Sequence, residues 1–99
     1  MNKDRLLNTL SMAARARRIT SGVTLTTEAI KKGEAKLILL ASDAEEETKK
    51  DIYDLSQKYS LEVCEVFNKE TLGGIIGKAQ RAVVAILDAG FSEAIKRAL

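Results

Sequence analysis

The chain has no histidine, no proline and a single cysteine among its 99 residues. Without histidine the commonest general base and a common metal ligand are missing, and no cysteine pair or serine-centred nucleophile motif replaces them. Catalysis is therefore not expected, and no metal or cofactor is implied. Cys64 cannot close an internal disulfide. It sits in an alternating, strand-like run and reads as a packing residue in a reducing compartment. Apolar runs such as Leu37–Ala41 fall far short of the ~20 residues that span a membrane. The N-terminus also lacks the apolar core of a signal peptide. A cytoplasmic protein with no membrane partner is expected. No repeat, linker or low-complexity tract divides the chain, so residues 1–99 are expected to form one domain. A domain of this size buries roughly two-thirds of its unfolded surface.

What is present is 45% apolar and 30% charged residues, the balance of a globular protein. The net charge of +2 conceals an uneven distribution. Residues 1–40 carry a net +5, residues 41–70 a net −5 and residues 71–99 a net +2. If the fold joins the two basic segments, one edge faces an anionic partner and the acidic segment points elsewhere. Ordinary surface charge is the plainer reading of the same counts.

Hydrophobic periodicity divides the chain into alternating helices and strands. Leu6, Leu7, Leu10, Ala13 and Ala14 recur at helical spacing and predict a helix over 3–15. Residues 19–21 read as a short strand, and Gly22 as the turn into a second helix over 23–32. Rotation by about 100° per residue buries Thr26, Ala29 and Ile30 and leaves Thr24, Leu25, Glu28, Lys31 and Lys32 exposed. Gly33 is placed to stop that helix. The continuous run Leu37–Ala41 predicts a central strand covered on both faces. Ser42 with Glu45, or Asp43 with Glu46, is expected to form a capping box for the next helix, whose inward face is Ile52, Leu55 and Tyr59. The acids of that first turn fan outward instead of converging, so capping accounts for them better than a metal does. Residues 61–67 read as a strand, and Asn68 as the cap of a short helix weakened by Gly73, Gly74 and Gly77. The glycine spacing matches neither a P-loop nor a dinucleotide fingerprint. Residues 77–81 then form a loop, 82–87 a strand and 92–98 a closing helix. Such alternation predicts one sheet, mostly parallel or mixed, with helices on both faces.

The stretch from Arg15 to Ala41 carries the functional expectation. Arg15, Arg17 and Arg18 approach a helix whose first amides, after Gly22, have no intrahelical acceptor and attract anions such as phosphate. Binding to RNA through this end is the leading expectation. The arginines also have a plain reading as the solvated end of the first helix, their stems lying on apolar surface.

Residues 22–41, and above all GEAKLILLASDA at 33–44, taken with LGGIIGKAQRAVVAIL at 72–87, resemble the kink-turn-binding ribosomal protein superfamily, of L-seven-Ae and L-thirty-e type. The similarity covers nearly the whole chain and is greatest to the bacterial YlxQ-like branch. The resemblance implies an α/β fold, a three-layer α/β/α sandwich with a four-stranded mixed sheet. It also implies a structured RNA partner, ribosomal RNA among the candidates, with ribosome or ribonucleoprotein association and no DNA. In the family, RNA is held by the helix N-terminus after the glycine and by the loop before the last strand. The implied contacts here are Gly22, Val23, Thr24, Leu25, Glu28, Lys31 and Lys32, with Gly77, Lys78, Ala79, Gln80 and Arg81, and the basic approach read from the residues adds Arg17 and Arg18. The family's kink-turn motif is Gly-x-Asn-Glu followed three residues later by lysine. Only Gly22 matches it, because Thr24 stands at the asparagine, Leu25 at the glutamate and Glu28 at the lysine. Leu25 cannot accept a hydrogen bond from a guanine edge, and Glu28 brings negative charge toward phosphate. The expectation is therefore shape and backbone recognition of structured RNA. The alternative is a protein-interaction module that retains the fold without kink-turn recognition.

Overall fold

One stripe of the first helix, α1 (Lys3–Arg15), is buried at Leu6, Leu10 and Ala13, the spacing a helix needs to face a sheet. The computed structural model describes residues 1–99. After α1 come β1 (Ile19–Ser21), α2 (Val23–Lys31), β2 (Leu37–Leu40), α3 (Glu46–Lys58), β3 (Val63–Glu65), α4 (Lys69–Ile75), β4 (Val83–Ile86) and α5 (Ala89–Ala98). The strands form one sheet in the order β1-β4-β2-β3. β4 runs antiparallel to β1 and to β2, while β2 and β3 are parallel. α2 and α3 pack together on one side, and α1 with α4 and α5 on the other. The result is the expected three-layer sandwich with a mixed sheet.

The core follows from this layering. β2 (LILL) and β4 (VVAI) are buried at every position because both of their faces are covered. The edge strands β1 and β3 are only partly buried. Cys64, in β3, is half-buried against the core. No helix is long and apolar enough to cross a membrane.

Four helices end in one way. The residue after the C-cap takes a positive φ at Arg17 (59°), Gly33 (74°), Ser60 (57°) and Gly77 (74°). The next amide then reaches back into the helix, Arg18 to the Ala13 carbonyl (2.9 Å), Glu34 to Ala29 (2.9 Å), Leu61 to Ser56 (2.8 Å) and Lys78 to Gly73 (2.8 Å). These are Schellman motifs, which satisfy carbonyls left over at a helix end.

The structure corrects three local expectations. No capping box opens α3. A turn closed by the Ala44 amide on the Ala41 carbonyl (3.1 Å) delays the helix, and Glu45 stands at its N-cap without a side-chain bond. Asp43 is used elsewhere, its Oδ1 accepting from the Lys69 amide at the start of α4 (2.8 Å). Tyr59 lies past the end of α3 and is 40% exposed, while Ser56, one turn after Ile52, takes the inward position. The closing helix begins at Ala89, because Asp88 caps it by accepting from the Phe91 amide (2.8 Å).

The β3 edge is fastened by a small polar network. Glu65 accepts from Tyr53 Oη (2.6 Å) and from Lys49 Nζ (3.0 Å), and Lys49 also donates to the Ser42 carbonyl (2.8 Å). The hydrogen bond to Glu65 pushes the Tyr53 hydroxyl up to about 12, and the same bond, with that from Lys49, holds the Glu65 carboxyl below its usual range.

Candidate nucleic-acid interface

Gly22 stands where the edge strand β1 becomes α2, with φ 89° and ψ 158°. That conformation is nearly exclusive to glycine. Its amide donates to the Val83 carbonyl at 3.0 Å and its carbonyl accepts from the Thr26 amide at 3.0 Å. The first turn of α2 is thereby anchored beside the start of β4. With no side chain, Gly22 cannot cap the helix, and the amides of Val23, Thr24 and Leu25 have no acceptor within the chain.

The other helix starts differ. Asn2, Asn68 and Asp88 cap α1, α4 and α5 with side-chain oxygens. α3 is also uncapped, but Glu46 and Glu47 occupy its first turn, whereas the first turn of α2 holds no acid. Of the two open helix ends, only that of α2 has both free donors and a field favourable to an anion.

The loop after α4 reaches this same place. Arg81 donates from Nε to Ser21 Oγ (3.3 Å) and from Nη1 to the Gln80 carbonyl (2.9 Å), while its amide donates to the Lys69 carbonyl (3.1 Å). The guanidinium is thus laid against the residue before Gly22 with part of its donor fork unused. Gly77, Lys78, Ala79 and Gln80 are exposed. Neither Lys78 nor Arg81 forms an ion pair. Arg81 therefore lies beside Gly22 and the free amides of Val23, Thr24 and Leu25, with the exposed Lys78 three residues before it in the same loop.

The remaining candidates lie away from that junction. Arg17 and Arg18 are at the opposite end of β1, where the Arg18 carbonyl accepts from the Leu87 amide (2.8 Å). That is a separation of ~10 Å along the strand from Ser21. Lys31 and Lys32 end α2, ~13 Å from its start. Lys31 lines a groove of about 420 Å³ between α2 and α3, with Val23, Thr27 and Asp51. Lys32 is turned to the β1 side and pairs with Glu28 at 3.4 Å. Both members are exposed, and such pairs contribute ~0.2–0.5 kcal/mol. Thr24, Leu25 and Glu28 are exposed as the periodicity predicts. Ser21 was not among the expected site residues. No local pattern marks it, since its partner Arg81 is 60 positions away.

Residues 4–96 match the model of the ribosomal protein L7Ae/L30e/S12e/Gadd45 family. The chain belongs to that family. Two bacterial relatives carry the name RNA-binding protein YlxQ. The Bacillus subtilis protein is 40% identical over 83 residues, covering 84% of this chain and 83% of the relative. The Enterococcus faecium protein is 35% identical over 95 residues, covering 96% and 91%. Among solved structures, a Bacillus halodurans protein of unknown function superposes with a TM-score of 0.90 at 38% identity, covering 94% of each chain. The Giardia lamblia 15.5kD RNA binding protein shares the fold, with a TM-score of 0.83 at 18% identity over 97% of this chain and 82% of that one.

Proposed function

We propose that this family member is a non-catalytic protein that binds structured RNA, ribosomal RNA being the first candidate, through the N-terminus of α2 and the loop 77–81. The observation that carries the reading is the junction of Arg81 with Ser21 beside the unpartnered amides of Val23, Thr24 and Leu25. The names of the bacterial relatives support the same reading. Phosphate oxygens are the natural acceptors for the amides and for Lys78 and Arg81, and Thr24 adds a hydroxyl that can donate or accept. Leu25, 55% exposed, offers an aliphatic contact where the family's glutamate would read a base edge. Recognition accordingly rests on RNA shape and backbone, and Arg17, Arg18 and Lys32 at the far end of the β1 edge, with Lys31 in the groove beside α3, supply longer-range attraction.

The test is a titration of a kink-turn RNA, a ribosomal RNA fragment and a plain hairpin at two salt concentrations. Binding should weaken steeply as salt rises, and Lys78→Ala or Arg81→Ala should lower affinity and reduce the salt slope by about one each. Arg17→Ala and Lys31→Ala should cost less. Failure to bind all three RNAs at low salt would sink this reading and favour the protein-interaction module.

A further inference from the structure

Gly73 lies in the middle of α4 and is buried, yet its surroundings are backbone. A Cβ built at this position would fall on the Ala79 carbonyl oxygen, 2.7 Å from the carbonyl carbon and 3.1 Å from the Gln80 Cα. Its helical neighbour Gly74 has open space at the same point. The two glycines cost the helix similar propensity, but only Gly73 is needed for the close approach of another chain segment. The segment in question is the loop 77–81. It leaves α4 through the bond from the Lys78 amide to the Gly73 carbonyl (2.8 Å), crosses Gly73 at Ala79, and is fixed again by the bond from the Arg81 amide to the Lys69 carbonyl (3.1 Å). The Arg81 side chain then reaches Ser21.

We propose that Gly73 is the positioning residue of the interface: by admitting the Ala79 backbone against α4, it sets Lys78 and Arg81 at the height of the α2 amides. The proposal rests on the RNA reading above for its functional consequence, although the position of the loop can be measured without RNA. In Gly73→Ala the Cβ has no flexible side chain to push aside, only peptide backbone, so the loop must lift. Lys78 and Arg81 then leave the plane of the α2 N-terminus, and the bond from Arg81 to Ser21 is lost.

The experiment compares the whole chain with Gly73→Ala, and with Gly74→Ala as a control for helix propensity, by amide chemical shifts and by titration of the same three RNAs at several salt concentrations. Gly73→Ala should shift the resonances of Ser21 and of residues 78–81, weaken RNA binding about tenfold and reduce the salt slope by about one to two, because Lys78 and Arg81 no longer reach phosphate together. Gly74→Ala should change none of these. A partly unfolded protein would show a lower active fraction with the wild-type slope, which separates positioning from simple destabilisation. Unmoved loop resonances, an unchanged salt slope in a protein that binds RNA, or global unfolding of Gly73→Ala would each overturn the assignment. Failure of the wild-type chain to bind any of the RNAs would instead overturn the RNA reading, and the resonances would still decide whether Gly73 positions the loop.

Discussion

Glu28 sets a carboxylate on the exposed strip of α2, within 3.4 Å of Lys32. Glu28→Lys removes that pairing, frees Lys32 and adds a cation where the family carries a lysine. RNA affinity should rise and the salt slope steepen by about one, while stability should fall by no more than ~1 kcal/mol, the lost pair and the new repulsion between the introduced lysine and Lys32 each contributing up to ~0.5 kcal/mol. Unchanged affinity in the titration would remove this face from the contact. Tyr53 makes a second prediction, independent of RNA. Its hydroxyl titrates at about 12 in the folded protein, against ~10 in an unfolded chain. The folded state therefore holds the proton more tightly, and the contribution to stability is complete below ~10 and lost as pH rises toward the folded value. Glu65 has the opposite sign, since its depressed pKa gives stability that is present above ~4.3 and lost as pH falls through the folded value. Tyr53→Phe should abolish both the late tyrosinate transition and the alkaline loss, and should raise the Glu65 pKa. Absorbance titration and denaturation across pH would read all three. Exposure of Thr24, Leu25 and Glu28 was legible in the sequence because helical rotation is a local property. The contact of Arg81 with Ser21 was not, because it depends on two segments meeting.

At the scale of the element, helix ends separate what a pattern can and cannot reveal. Gly33 announces its left-handed position because glycine alone adopts it freely, and Gly77, legible only as a residue that weakens its helix and opens the loop, takes the same conformation. Arg17 and Ser60 occupy the same position in α1 and α3 and give no such sign, because the closing amide bonds of the Schellman motif overcome the cost to a residue with a Cβ. Arg17→Gly should relieve that strain and stabilise the protein by ~0.5–1 kcal/mol, as measured by chemical denaturation. It also deletes a cation at the far end of β1, so a stabilised protein with slightly weaker RNA binding is expected. Asn68 was legible as a cap because its oxygen bonds an amide three residues on, at Thr71 (2.8 Å). The capping box at residues 42–46 was not realised, because tertiary structure diverts Asp43 to the Lys69 amide. A start signal read from sequence is only a set of available oxygens, and the fold decides which amide each one meets.

For the whole molecule, the single mixed sheet and one contiguous buried cluster drawn from both faces lead us to propose that residues 1–99 fold as one cooperative unit. Denaturation followed by far-UV circular dichroism and by tyrosine fluorescence should give coincident single transitions, and separated midpoints would refute the single-domain reading. The acidic segment of residues 41–70 supplies α3 and the β3 edge, and β1 forms the opposite edge of the sheet. α2 packs beside α3 on the same face, where Lys31 shares a groove with Asp51, so the division of charge along the chain becomes a division in space only between the two sheet edges. The sequence by itself determined the order of the elements, most of their buried faces, the central strand Leu37–Ala41 and the stop at Gly33, because spacing of apolar residues and backbone permissiveness act over a few neighbouring positions. It also carried the resemblance that named the family. Only the tertiary structure decided that Arg81 lies against Ser21 while Arg17 and Arg18 sit at the opposite end of the strand. That outcome follows from the antiparallel pairing of β1 with β4, a contact between the two ends of the chain, and from the absence of a side chain at Gly73, whose effect exists only where another backbone comes to meet it.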